Sequence, residues 1–176
     1  LADKAGVNYT ASASDVERTH AAIREATMKA DYVMVSIHSH QLLGGDKTAV
    51  PEFLKELCHG FIDAGAHAVI GHGPHLLRPI EVYKNRPIFY SLGDFVIELY
   101  DVEIAPEDFY KKYGMSSDSP TIDLLGKRSA DFTRGLMEDR RMLETVIPYW
   151  ETDECGNMTS LSLMPVKASK GEGKHL

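Results

Sequence analysis

Apolar residues recur at helical spacing near the start of the chain, where Val16 and Ile23 lie on a common helical face. The pattern predicts a helix over 15–29. Ser14 is followed three residues later by Glu17, which has the form of a capping box and supports a helix start at this point.

A continuous apolar stripe predicts a second helix from Pro51 to Gly65. Pro51 suits a first turn, where its missing N–H costs nothing, and Gly65 suits the left-handed position that closes a helix. Cys58 lies on this stripe, which favours a buried free thiol, although a bridge to Cys155 stays open.

A short apolar run follows each helix and predicts strands over 32–37 and 67–70. The first run is rich in β-branched residues, which favours a central strand covered on both faces. Helices alternating with strands predict an α/β protein, in which the crossover helix returns the chain to a neighbouring parallel strand.

Later in the chain the pattern predicts two pairs of strands, 77–83 with 86–91 around Lys84-Asn85, and 141–150 with 158–166. The segment 98–134 mixes acidic, aromatic and turn residues, and we expect an irregular insertion with short helices near 106–112 and 120–125. The polar tail 167–176 is predicted to be flexible. We expect the whole chain, 1–176, to be one domain.

Composition narrows the possible functions. The 176 residues are 43% hydrophobic and 26% charged, which suffices for one globular core. A net charge of -7 without dense runs of Lys and Arg argues against a nucleic-acid or anionic-membrane surface. No apolar run is long enough to span a bilayer, and the first residues do not form a signal peptide.

Two pairs of histidines follow the first two predicted strands: His38 with His40, and His72 with His75. Because the carboxyl ends of neighbouring parallel strands meet at one edge of a sheet, these imidazoles would converge. Converging imidazoles suit a metal of borderline softness, while ordinary hydrogen-bonded loop histidines are the alternative. The other histidines are predicted to be structural or to lie in the tail: His20, His59, His67 and His175.

The chain resembles the C-terminal half of the bacterial capsule-synthesis CapA family, also called the poly-γ-glutamate synthesis family, within the calcineurin-like metallophosphoesterase superfamily. The likeness lies in four runs that occur in this order: DYVMVSIHSH, FIDAGAHAVIGHGPH, RPIEVYKNRPIFYSLGDF and RRMLETVIPYW. The resemblance implies a four-layer α/β/β/α sandwich of the metallophosphoesterase type with a dinuclear centre of Mn, Fe or Zn at the strand ends.

Carried over motif by motif, the resemblance implies that His38, His72 and His75 are metal ligands. His40 and Asp94 become candidates for substrate contact or catalysis, with a solvated loop histidine as the alternative for His40.

Two further residues of the matching motifs, Glu81 and Ser91, would orient the ligands. The alternative for Glu81 is an ion pair with Arg78 or Arg86, and for Ser91 and Asp94 it is ordinary turn chemistry.

The chain departs from the family pattern at three places. Neither the strand-end Gly-Asp motif nor the Asn-His motif that complete the centre occurs before Asp31. Position 73 is Gly where the family often carries His, and position 94 is Asp where it often carries Asn. We therefore expect a domain that is present only in part; the alternative is a site reduced to a single weakly held ion.

The resemblance implies a metal-dependent phosphoesterase-like hydrolase domain in bacterial capsule or poly-γ-glutamate biosynthesis. Its substrate would be an anionic polymer or a phosphoester, within a membrane-bound synthesis complex at the cell envelope, held by an upstream anchor. The alternative is a non-catalytic envelope domain that binds an anionic polymer. A third possibility is a structural α/β domain whose histidines have no special role.

Overall fold

The computed structural model describes residues 6–96, 102–135 and 138–168. The elements, in chain order, are α1 (Ala13–Thr27), β1 (Met34–His38), α2 (Glu52–Asp63), β2 (Ala68–His72), β3 (Ile80–Tyr83), β4 (Arg86–Phe89), α3 (Glu107–Lys112), α4 (Thr121–Arg128), a short 3-10 helix (Arg140–Met142), β5 (Glu144–Thr152) and β6 (Met158–Lys167). The predicted α/β class is confirmed.

Four strands form one mixed sheet in the order β1-β2-β4-β3. The β1–β2 and β2–β4 pairs are parallel, and β3 runs antiparallel to β4. The predicted crossover from β1 through α2 to a parallel neighbour is confirmed, and its register places His38 opposite His72.

The prediction that the first strand is central and covered on both faces is wrong. Within the described ranges β1 has β2 as its single partner, so it lies at the sheet edge. Its burial alternates: Met34, Ser36 and His38 are exposed, and Met34 is 58% accessible. Only the face that carries Val35 and Ile37 packs against the core. Ser36 and His38 alternate with these two residues in the sequence, a pattern typical of a strand with one face in solvent.

The core lies between the sheet and the two long helices. Leu54, Cys58 and Phe61 of α2 pack in one cluster with Val69 of β2 and Ile88 of β4. Burial raises the pKa of the Cys58 thiol to about 12, which keeps it protonated and unreactive. The predicted buried free thiol is confirmed, because both cysteines are free and Cys58 is buried.

The opposite face of the sheet is covered beside β4 by the ribbon of β5 and β6. Phe89 is fully buried and its ring centroid lies 5.5 Å from that of Trp150. The indole nitrogen of Trp150 donates to the Tyr32 hydroxyl at 3.0 Å, and the amide of Met158 donates to the Asn85 carbonyl at 2.7 Å. Helices, sheet and ribbon therefore form three layers within the described residues.

Local backbone chemistry explains several element ends. Lys84 and Asn85 have positive φ angles of 49° and 58°, as the predicted tight hairpin turn requires. Gly65, with φ 114°, follows α2 as predicted. The capping box at Ser14 is wrong: the carbonyl of Ser12 already accepts from the amides of Asp15 and Val16, so α1 starts earlier.

The segment after β4 contains the two short helices predicted there, α3 and α4. They are joined through Tyr110, whose hydroxyl lies 3.0 Å from that of Thr121, which in turn donates to the Glu103 carbonyl at 2.9 Å. β6 extends to Lys167, so this residue is not part of a flexible tail; the predictions for 169–176, including His175, lie outside the described residues. No helix of the described ranges is both long and apolar enough to cross a membrane.

Candidate metal site

The ends of β1 and β2 bring two of the predicted ligands together. The Nδ1 atoms of His38 and His72 lie 2.9 Å apart, with ring centroids at 5.0 Å. The ring of His40 lies 4.8 Å from that of His38. The amide of Ser39 donates to the His72 carbonyl at 2.8 Å, which extends the pairing of the strands one residue beyond β1.

Ser36 contacts the ring nitrogen of His72 that faces away from His38. Its hydroxyl lies 2.8 Å from Nε2 of His72. If Nε2 carries the proton and donates it to Ser36, Nδ1 presents a lone pair toward His38, as a metal ligand must. Ser36 is not among the residues predicted above for the site, although the two-residue period of a strand places it on the same face as His38.

Gly73 lets the two strand ends approach each other. It has φ 126°, and a Cβ at this position would lie 2.8 Å from the carbonyl oxygen of Ser39. Such a distance is a steric clash, and this φ strongly favours glycine. The departure from the family pattern at position 73 therefore has a physical reason in this chain.

The third predicted ligand, His75, is bound to a carboxylate. Its Nδ1 lies 2.9 Å and 3.1 Å from the two oxygens of Asp94. This contact orients the ring and leaves Nε2 available, an arrangement typical of metal-binding histidines. His75 has φ 61°, an uncommon conformation for a residue other than glycine, and its ring centroid lies 5.7 Å from that of His40.

Ser91 supports the loop that carries His75. It is 1% exposed, and its hydroxyl donates to the Leu76 carbonyl at 2.7 Å while accepting from the Gly93 amide at 3.3 Å. The Ser91 carbonyl accepts from the amide of Arg78 at 3.0 Å. Ser91 thus acts on the backbone next to His75.

Glu81 lies on the α2 side of the sheet, where the structure gives it other partners. Its carboxylate accepts a hydrogen bond from the Tyr90 hydroxyl at 2.6 Å and lies 2.8 Å from Nε2 of His59. Neither Arg78 nor Arg86 forms an ion pair with it among the described residues. The alternative given for Glu81, an ion pair with Arg78 or Arg86, is therefore wrong, and its orienting role at the metal ligands stays a prediction.

Burial alone would raise the pKa of Glu81, but the hydrogen bonds from Tyr90 and His59 outweigh it and hold that pKa below its usual value of 4.5. Burial and the bond to Glu81 raise the pKa of Tyr90, which keeps it a donor. A carboxyl whose folded-state pKa is depressed stabilises the fold above its unfolded pKa, and this contribution is lost as the pH falls through the folded pKa.

We expect Glu81→Gln to lower the free energy of unfolding by about 1 kcal/mol at pH 7, because the amide makes weaker hydrogen bonds at a half-exposed site. The difference from wild type should shrink as the pH falls below the ordinary pKa of 4.5 and through the lower folded-state pKa of Glu81. Urea denaturation at pH 7 and pH 3 measures both. Glu56→Gln, a change of the same type at an exposed position of α2, is the control; a deficit independent of pH would contradict this account.

His40 is favoured in its neutral form. His40 is exposed, and the desolvation of part of its ring, and after it the neighbouring His38, His75, Arg78 and Lys47, lower its pKa. A neutral imidazole can accept a proton or a hydrogen bond, which is what a group in contact with a substrate would need.

The donor set can be tested against the implied metal. Two nitrogen ligands of one tetrahedral metal lie about 3.3 Å apart, so the 2.9 Å separation of His38 and His72 would need to widen by only a few tenths of an ångström. The donor types fit a metal of borderline softness. Within residues 6–96, 102–135 and 138–168, however, no three His, Cys, Asp or Glu side chains stand in ligating positions together.

The structure thus defines a class: an α/β domain whose histidines pair across the ends of two parallel strands. The chain belongs to the family described as bacterial capsule synthesis protein PGA_cap, whose family model matches residues 2–98. The capsule-synthesis family resemblance is confirmed.

Three curated relatives illustrate the match. An uncharacterized protein of Sinorhizobium fredii is 42% identical over 121 residues, which cover 67% of this chain and 24% of that protein. The PGA biosynthesis protein CapA of Bacillus subtilis is 43% identical over 76 residues, 43% of this chain and 19% of the relative. A probable polyglutamine synthesis accessory protein of Mycobacterium tuberculosis is 53% identical over 38 residues, 22% of this chain and 10% of the relative. The matched regions thus span a quarter or less of each relative.

Proposed function

We propose that His38, His72 and His75 bind a divalent transition metal, Mn, Fe or Zn, in a metal-dependent phosphoesterase-like hydrolase domain that serves capsule or poly-γ-glutamate biosynthesis. The observation that carries this proposal is the pairing of His38 and His72 at 2.9 Å, with Ser36 on the far side of the His72 ring. The proposed architecture is the four-layer sandwich with a dinuclear centre, of which this chain contributes the helix and sheet layers described above.

A bound metal would supply Lewis acidity at the scissile ester. The residues around it have separate tasks. Ser36 hydrogen-bonds Nε2 of His72 and so orients its ring, and Asp94 orients the ring of His75 through Nδ1. His40, held neutral beside them, would contact the substrate or accept a proton from it.

The names of the relatives support the biological setting of the proposal. One is called a PGA biosynthesis protein and another a synthesis accessory protein. By analogy we propose that this chain acts at the cell envelope with other capsule-synthesis proteins, on a phosphoester or an anionic polymer.

One observation favours a second candidate, a domain that binds an anionic polymer without turnover. Asp94 is engaged by His75, and the described residues offer no further carboxylate in a three-ligand group with His38 and His72. Hydrolytic centres with two metals commonly use carboxylates as well as imidazoles.

The test is metal content. The chain is loaded with Mn²⁺, Fe²⁺ or Zn²⁺, passed through a desalting column and measured by inductively coupled plasma mass spectrometry. We expect wild type to retain metal, and His72→Ala to lose at least about tenfold in affinity because a direct ligand is gone. His59→Gln is the matched control, since it removes an imidazole outside the cluster and can still hydrogen-bond Glu81.

Equal metal content in wild type and His72→Ala would overturn the metal site. If the metal binds through His72, hydrolysis of bis(p-nitrophenyl) phosphate decides between the candidates. Turnover that disappears in His72→Ala supports the hydrolase, and bound metal without turnover supports the binding domain.

A further inference from the structure

A pocket of about 300 Å³ lies beside the histidine cluster, which consists of His38, His40, His72 and His75. It is bounded on one side by the ends of the strands and on the other by the last residue of α4, and its lining comprises His40, Leu42, Lys47, Pro74, His75, Arg128 and Met142. Two of these side chains are cations, two are imidazoles, and none is a carboxylate.

The two cations come from different parts of the chain. Lys47 belongs to the loop between β1 and α2. Arg128 is the last residue of α4, which lies in the segment 98–134 that was predicted to be an irregular insertion. Neither forms an ion pair within 4.0 Å in the described part of the chain. Convergence of two free cations on one pocket is notable in a chain whose net charge is -7.

Each cation is held by neighbouring groups. The guanidinium carbon of Arg128 lies 5.7 Å from the centre of the Phe109 ring, a cation–π contact that leaves its N–H groups free to bind an anion. The backbone of Lys47 is fixed by Arg78, which is only 3% exposed and donates from Nε to the Lys47 carbonyl at 3.0 Å and from Nη2 to the Gln41 carbonyl at 2.7 Å.

Acidic groups near this loop are already engaged. Asp139, which senses the charge of Lys47, is bound by Arg141 through two hydrogen bonds at 2.9 and 2.7 Å. Asp46 accepts from the amide and hydroxyl of Thr48 at 2.8 and 2.7 Å. The positive charge of the pocket is therefore not cancelled by a contact ion pair.

We propose that this pocket is an anion-binding subsite for a phosphate or carboxylate group. The same ligand would place its neighbouring anionic group at the histidine cluster. The inference rests on the proposed function and specifies its substrate class: a molecule with at least two anionic groups in succession. His40 and His75 line the pocket, and the ring of His40 lies 4.8 Å from that of His38 and 5.7 Å from that of His75, so His40 joins the pocket to the paired histidines.

The experiment measures anion binding in protein stripped of metal with EDTA, at low ionic strength, by isothermal titration calorimetry. Inorganic phosphate and γ-glutamylglutamate are the two probes, and the one that binds more tightly identifies the source of the anionic group. We expect the double variant Lys47→Ala/Arg128→Ala to weaken binding of that probe about fivefold to tenfold, because two charge-assisted contacts are removed.

Lys112→Ala/Lys127→Ala is the matched control. It makes the same change in net charge, and neither lysine lines the pocket. Its affinity should stay within about twofold of wild type. Lys47→Glu, a reversal of one exposed charge, should weaken binding at least as much as the double alanine variant, and circular dichroism checks that each variant is folded.

Equal weakening in the control pair, or no binding of either probe to wild type, would overturn the subsite. The metal analysis is an independent measurement, so the two proposals can fail separately. Anion binding that depends on Lys47 and Arg128 in a chain that retains no metal supports the subsite and rejects the metal. Retained metal without anion binding supports the metal site and rejects the subsite.

Discussion

Gly73→Ala is expected to lower the free energy of unfolding by about 2–5 kcal/mol and to move His38 away from His72. The added Cβ would lie 2.8 Å from the Ser39 carbonyl oxygen, at a φ of 126°. The atoms that this Cβ would meet, O, C and N of Ser39, are all backbone atoms, which cannot rotate away as a side chain can. Relief requires the loops after β1 and β2 to separate, and the two imidazoles lie on either side of that contact.

The control is Gly44→Ala. Gly44 also has a positive φ, 61°, but its Cβ would have no heavy atom within 4 Å. It should cost only the conformational penalty of about 1 kcal/mol. Chemical denaturation measures both variants, and the imidazole resonances of His38 and His72 report their separation. A Gly73→Ala protein as stable as Gly44→Ala, with unchanged resonances, would contradict the proposed role of the close approach.

Phe89→Ala is expected to cost about 3–5 kcal/mol, the usual loss for a buried aromatic residue in a core. Phe89 has 0% exposure and lies between the sheet and Trp150 of the ribbon. Its removal leaves a cavity in the contact that joins these two layers. The ribbon should therefore loosen before the sheet and helices unfold.

Trp150 is the only tryptophan in the chain, so its fluorescence reports this contact directly. In Phe89→Ala we expect a red-shifted emission under native conditions and a lower denaturation midpoint. Tyr149→Ala, on the neighbouring strand position with 63% exposure, should stay within about 0.5 kcal/mol of wild type. An emission maximum equal to that of wild type in Phe89→Ala would contradict the prediction that the Phe89–Trp150 contact holds the ribbon on the sheet.

The sequence predicted the parts of the fold that depend on local chemistry. The stripe of α2, the positive φ at Gly65 and the turn at Lys84-Asn85 each follow from residue type and spacing, and all are present. The pairing of His38 and His72 was also predictable, since a crossover of this length places its two strands side by side in parallel.

The partners of Glu81 were not predictable from residue spacing. The hairpin was expected, but residue type and spacing do not indicate which of its two strands pairs with β2. The structure places β4 there. That order leaves β3 at the edge, where Glu81 meets His59 from α2. Long-range packing decides such contacts, and the anion pocket likewise depends on where α4 lies.

The edge position of β1 has a consequence for the motion of the candidate site. Edge strands open more readily than interior ones, so backbone amides of β1 that point away from β2 should exchange with solvent faster than those of β2. His38 and His72 thus belong to strands of unequal local stability. We therefore expect the lifetime of their pairing to depend on local opening of β1, and a ligand that binds only the closed pair should slow amide exchange in β1 by mass action.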